Sequence, residues 1–140
     1  MSDDARARTV SWRLKHGSSA GASAREMVLD LLADHQTTDE LRHDAALVAF
    51  ELVANAVTHG RPDPDGTIEL ACELAGDVLT VQVRDAGAPD TGTPRALEPE
   101  VGHGRGLALV DALSSSWVVD HSDGTIVTAR VPLNWQPSPT

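Results

Sequence analysis

The sequence has one cysteine in 140 residues, Cys72, so no disulfide can close within the chain. A lone thiol fits a reducing compartment. Positive charge is also scarce. Lys and Arg number 11 against 21 Asp and Glu, a formal net charge of −10. Nucleic-acid backbones and anionic membranes are bound by cationic side chains that displace counterions, which argues against direct contact with either. Only Arg6, Arg8, Arg13 and Lys15 gather into a local basic patch. No apolar run approaches the ~20 residues that a membrane span requires. Residues 1–15 carry Asp3, Asp4 and several arginines in place of the apolar stretch of a signal peptide. Internal repeats and long linkers are missing as well. The expectation is a soluble cytoplasmic protein with no membrane partner and no direct nucleic-acid partner.

What is present is enough for a core. With 41% hydrophobic and 23% charged residues, the chain reads as one domain over residues 1–140. Folding should bury about two thirds of its unfolded surface without a metal or disulfide staple. Val10, Trp12 and Leu14 alternate with polar residues and predict a half-buried strand. His16 to Gly21 reads as a loop. Ser23 and Glu26 form a capping box for a first helix running to about His35, and Thr37 and Glu40 form one for a second helix ending at His59 before Gly60 and Pro62. Ile68 to Leu74 and Leu79 to Asp85 alternate around Ala75-Gly76-Asp77, which predicts a hairpin. Ala88 to Glu100 holds three prolines and no period, and reads as a mobile loop. A short helix through Leu107, Val110 and Leu113 follows the glycines at 102, 104 and 106. Trp117 to Asp120 and Thr125 to Val131 close the chain as strands, and residues 132–140 read as a frayed tail.

Three places carry chemistry. On the second helix, Glu51, Asn55, Thr58 and His59 fall within an arc about 100° wide on an otherwise apolar wheel. In a core helix, such a wedge should face water or a polar ligand, because an unpaired buried polar group is costly. A carboxylate and an amide oxygen one turn apart are hard ligands suited to Mg²⁺ or to ordering a water. A solvated stripe would look the same. Second, Asp85 ends a strand on the side shared by Leu79, Val81 and Val83. A buried carboxylate needs a hydrogen-bond partner, and the exocyclic amine of a purine is one candidate. Gly87 would let a flat ring approach the backbone. An ordinary Asx-turn is the other reading. Third, Gly102-His103-Gly104-Arg105-Gly106 opens into a helix. Free backbone N–H groups, the helix N-terminus and Arg105 together suit a phosphate. The spacing is neither that of a P-loop nor that of the dinucleotide fingerprint. A flexible loop is the alternative.

Together the three match a known pattern. Glu51-Leu52-Val53-Ala54-Asn55-Ala56-Val57-Thr58-His59-Gly60 resembles the N box of the GHKL ATPase superfamily. Asp85-Ala86-Gly87 resembles its G1 box, and Gly102 to Val110 its G2 box. Ala88-Pro89 stands where many members carry a second glycine. Order and spacing agree over roughly residues 5 to 132. The small size and short lid resemble the bacterial anti-sigma-factor serine/threonine kinases.

The resemblance implies a Bergerat-type α/β sandwich, with helices on one face of a mixed, mostly antiparallel sheet. It implies ATP and Mg²⁺ as cofactors. Asn55 would hold the metal, Glu51 would be the general base, and Asp85 and Gly87 would meet the adenine. Gly102, His103, Gly104, Arg105, Gly106 and Leu107 would form the phosphate-wrapping run, with Arg105 near the γ-phosphate. Thr125 would support the adenine-bound Asp85 or a water. The implied reaction transfers the γ-phosphate of ATP to a Ser or Thr of an anti-anti-sigma protein, which competes with a sigma factor for the kinase. Members of the group often form homodimers through the sheet.

Two other readings are weighed against it. A sensor histidine kinase needs a dimerising helical hairpin with a phospho-accepting His, and residues 1–40 hold one good amphipathic helix. A nucleotide-binding regulator that docks on its partner without phosphotransfer would carry the same boxes. His16, His35 and His43 read as ordinary surface histidines, and no His/Cys pair has zinc-ligand spacing.

Overall fold

The computed structural model describes residues 7–87 and 105–134. Within them the order is β1 (Arg8–Lys15), α1 (Ala20–Leu31), α2 (Asp39–His59), β2 (Thr67–Ala75), β3 (Val78–Asp85), α3 (Arg105–Leu113), β4 (Ser116–Asp120) and β5 (Thr125–Pro132). The strands form one sheet in the order β1-β2-β3-β5-β4, and all four described pairings are antiparallel. The predicted mostly antiparallel sheet is therefore present.

Strand alternation decides which side of the sheet is buried. Leu14, Ile68, Leu70, Cys72, Leu74, Leu79, Val81, Val83, Val127, Ala129 and Val131 point into the core. Ala24, Val28 and Leu31 of α1, and Val48, Leu52 and Val53 of α2, share that core. Each of the larger side chains contributes about 1.5–3 kcal/mol by leaving water. The other face of the sheet is polar and partly exposed, and the register lines up Ser11, Ala71, Gln82, Thr128 and Val118 across all five strands.

Both helix starts differ from the sequence expectation. The first helix begins at Ala20, three residues before the proposed Ser23 cap, with Ser19 at the N-cap and no side-chain cap bond. Packing decides this. Ala20, Gly21 and Ala24 are buried, and a Cβ at Gly21 would already lie 3.1 Å from the Phe50 ring of α2. Only small residues allow that approach, so contact with α2 draws the extra turn into the helix. The helix also stops at Leu31 rather than near His35. The second helix is capped by Thr38, whose hydroxyl accepts from Leu41 N–H at 3.0 Å. Its neighbour Thr37 instead donates to the Leu133 carbonyl. Asp39 and Glu40 then occupy the first turn, where the helix dipole favours negative charge.

The chain end is a further correction. Leu133 is buried, and its N–H donates to the Asp77 carbonyl at 2.7 Å. Pro132 closes β5. The frayed tail therefore cannot begin at 132, and residues 135–140 lie outside the described ones. The expected loop over residues 88–100 also lies outside them.

Candidate functional site

The long second helix supplies the first part of the site. Its buried side is Ala45, Ala46, Val48, Ala49, Leu52, Val53 and Ala56. Glu51, Asn55 and His59 are half-buried and Thr58 is exposed, the polar wedge that the wheel predicts. The Nδ2 of Asn55 is buried and has no hydrogen-bond partner among the described residues. Leaving such a donor unsatisfied costs about 1–3 kcal/mol, a cost that a polar ligand or a water would relieve.

The second part is the turn that ends β3. Asp85 is 4% exposed and faces the helices. Its Oδ1 accepts from Gly87 N–H at 2.6 Å, and Gly87 has a φ of +98°, which glycine adopts without strain. Burial raises the pKa of the Asp85 carboxyl above the ordinary carboxylate value. Backbone N–H groups of Gly87 and Arg61, then His16 and Arg84, pull it partly back.

Two segments converge on that turn. Gly60, at the end of α2, touches the Asp85 carboxylate so closely that a Cβ there would overlap it. Gly124 lies against the Asp85 carbonyl from the β4–β5 turn in the same way. Arg61 then ties the two sides together. Its carbonyl accepts from Ala86 N–H at 2.8 Å, and its Nε–H donates to the Gly87 carbonyl at 2.9 Å.

Thr125 is buried at 7% exposure and sits opposite Asp85 in the β3–β5 ladder. Its hydroxyl lies 3.3 Å from Nδ1 of His121, so the contact observed for it is with that ring and not with the carboxylate. The third helix begins at Arg105, within the glycine run, and Leu107 is fully buried. Gly102, His103 and Gly104 lie outside the described residues. Gly106 falls within the first turn of the helix.

Asn55 thus presents an amide to the polar side of α2, with Glu51 one turn earlier. Among the described residues, no group of three or more His, Cys, Asp or Glu is arranged to hold a metal ion. That donor set fits Mg²⁺, which usually takes one or two protein oxygens and completes its shell with phosphate oxygens and water.

The sequence profile described as "Histidine kinase-like ATPase domain" matches residues 18–131. The chain belongs to this family. A histidine kinase-like ATPase domain is an ATP-binding domain, and here Gly60 meets the Asp85 carboxylate as described above. The crystal structure of the RsbU and RsbW domains of Rv1364c from Mycobacterium tuberculosis is similar, at 25% identity with a TM-score of 0.65 over 93% of this chain. The match covers 35% of that chain, so this ATPase domain spans about a third of its length. The Acinetobacter baumannii histidine kinase AdeS is matched at 17% identity and a TM-score of 0.49, over 91% of this chain and 69% of that one. No curated protein matches the chain. None of the described helices is long and apolar enough to cross a membrane.

Sequence reading missed three contributors. Arg61 carries no reading of its own in the sequence, because its partner Gly87 lies on another segment. Gly124 passed as an ordinary turn glycine. His16 was placed on the surface, yet its Nε2 is buried without a hydrogen-bond partner among the described residues. Of the other two histidines read as surface residues, His35 is half-buried with Nε2 3.1 Å from Asp77 Oδ1, and His43 is exposed. The local sequence carries no signal for contacts made across the sheet.

Proposed function

We propose that this chain is a serine/threonine protein kinase of the anti-sigma-factor type. It binds ATP with Mg²⁺, phosphorylates a Ser or Thr of an anti-anti-sigma partner, and sequesters a sigma factor while that partner is absent. The observation that carries the reading is the meeting of Asp85 with Gly60. It sets a buried carboxylate, able to accept from an adenine amine, at the end of the helix that bears Glu51 and Asn55. The resemblance of the N and G2 boxes to anti-sigma kinases, and the likeness to a structure whose title names an RsbW domain, support the choice of partner.

In this reading Asn55 holds Mg²⁺ through its side-chain carbonyl. The metal, when bound, neutralises phosphate charge. Glu51 accepts the proton of the incoming hydroxyl as its oxygen attacks the γ-phosphorus. The bond from the γ-phosphorus to the bridging oxygen breaks, and ADP leaves with that electron pair. Phosphoryl transfer needs positioning and charge neutralisation above all, and little covalent help from the protein. The glycine run from Gly102 to Gly106, with His103 and Leu107, wraps the phosphates, and Arg105 meets the γ-phosphate. Gly87 gives the purine ring access to the backbone, and Thr125 backs the Asp85 turn from the neighbouring strand.

The test is phosphotransfer from γ-labelled ATP, with Mg²⁺, to a panel of purified anti-anti-sigma proteins. The expected result is label on a Ser or Thr of one of them. Glu51→Ala is expected to bind Mg-ATP normally and to transfer about 10²–10⁴-fold more slowly, the usual worth of a general base. Normal ATP binding with no transfer to any member of the panel would indicate a regulator that acts by docking alone. Transfer by Glu51→Ala at the native rate would overturn the base assignment.

A further inference from the structure

The segment leaving α2 and the turn after β3 are joined at more points than chain continuity requires. Gly60 packs on the Asp85 carboxylate. Ala86 N–H donates to the Arg61 carbonyl, and Arg61 Nε–H donates to the Gly87 carbonyl. Two residues further on, Asp63 accepts from Arg84, the chain neighbour of Asp85, at 3.3 Å to both carboxylate oxygens. Arg13 of β1 holds Asp63 from the other side. The two segments are therefore fastened at both ends, by Arg61 to Gly87 and by Asp63 to Arg84.

Among these fasteners, Arg61 is the one whose side chain bonds to Gly87. It is exposed, so burial of its side chain does not explain the contact. Its side-chain bond goes to Gly87, whose N–H is the hydrogen-bond donor to Asp85 Oδ1. A residue that holds Gly87 therefore holds the group that aims the carboxylate.

We infer that Arg61 is a specificity-determining positioning residue: its Nε–H bond to Gly87 keeps the Asp85 turn oriented to favour a 6-amino purine over a 6-oxo purine. The inference rests on the reading of Asp85 as the acceptor of the adenine amine. A carboxylate aimed at the base edge accepts from an N–H donor and repels a carbonyl oxygen. When the turn loosens, the amine loses a well-aligned acceptor, whereas a 6-oxo base presents a carbonyl oxygen at that position and has no such bond to lose there. Affinity for ATP should fall while affinity for inosine triphosphate stays nearly constant.

The test is calorimetric titration of the full chain with ATP and with inosine triphosphate, each with Mg²⁺. Native chain, Asp85→Asn, Arg61→Met and Arg61→Gln are compared, with thermal unfolding midpoints as the control for folding. Gln places an N–H donor at the same bond count from the backbone as Arg Nε, whereas Met places a methyl there. Arg61→Met is expected to weaken ATP about three- to tenfold, the range for one lost hydrogen bond, with inosine triphosphate unchanged. Arg61→Gln is expected to keep the native preference. Arg61→Ala replaces Met if the Met variant does not fold. Equal weakening of both nucleotides, or loss of preference in Arg61→Gln, would overturn the inference and assign Arg61 a role through its charge. An Arg61→Met preference equal to native would overturn it while leaving the Asp85 reading intact, provided Asp85→Asn loses the preference. A native chain that binds both nucleotides equally would overturn the Asp85 reading itself, and the inference with it.

Discussion

The carboxylate of Asp85 rests on the Cα of Gly60, and no Cβ fits between them. The two residues lie far apart in sequence, one ending the second helix and one ending the third strand. Their contact sets the position of the helix that carries Glu51 and Asn55 relative to the buried acid. Gly60 has a φ of −103°, which any residue can adopt. Close approach, and not backbone freedom, is what requires glycine at this position.

Gly60→Ala should therefore act on both fold and site. Forcing a methyl into a packed contact costs about 1–3 kcal/mol. We expect a lower denaturant midpoint and, because the carboxylate must move, a weaker affinity for ATP. Urea unfolding and nucleotide titration on the same variant check the two effects together. Native stability with native affinity would contradict the contact.

Asp85 should lower stability as pH rises. Its folded-state pKa is raised, chiefly by burial, so the folded chain binds the Asp85 proton more tightly than the unfolded chain does. Its contribution is fully present below the ordinary value of 3.8 and is lost as pH rises through the raised folded value. Asp85→Asn removes that loss. We expect the variant to be more stable than the native chain at pH 7, with the difference shrinking toward pH 4, and to bind ATP more weakly. Unfolding midpoints of both proteins across that range give the comparison. A difference that does not change with pH would contradict the account.

Cys72 should be chemically silent in the folded state. Burial pushes its thiol up to about 12, so at pH 8 only about one molecule in 10⁴ carries the reactive thiolate. Reaction with a chromogenic disulfide should be slow in buffer and rapid in denaturant. Fast labelling of the native protein would show that β2 opens readily.

Much of this architecture is legible in the sequence, for a physical reason. Strand alternation over Ile68 to Leu74 and Leu79 to Asp85 is a local pattern, and the structure buries those residues on one side. The polar wedge on α2 was legible in the same way, from a period of 3.6. The helix starts were less so. Ser23 has good capping chemistry but lies inside a helix extended by the fit of Gly21 against Phe50. Thr37 and Thr38 are chemically alike, and only the position of Leu133 shows which of them is free to cap α2. Arg61, Gly124 and His16 reach the site through contacts between distant segments, which no sequence window contains.

The central claim is that the polar wedge of α2 holds a nucleotide together with its metal. Calorimetric titration of the native chain and of Asn55→Ala with Mg-ATP tests it most directly. Asn55 carries a buried amide without a hydrogen-bond partner among the described residues, so its removal should cost the empty protein little stability. The account predicts saturable, one-site binding by the native chain and its loss in Asn55→Ala, with both proteins unfolding at similar temperatures. Equal binding of Mg-ATP by the two proteins, or none by the native chain, would contradict it.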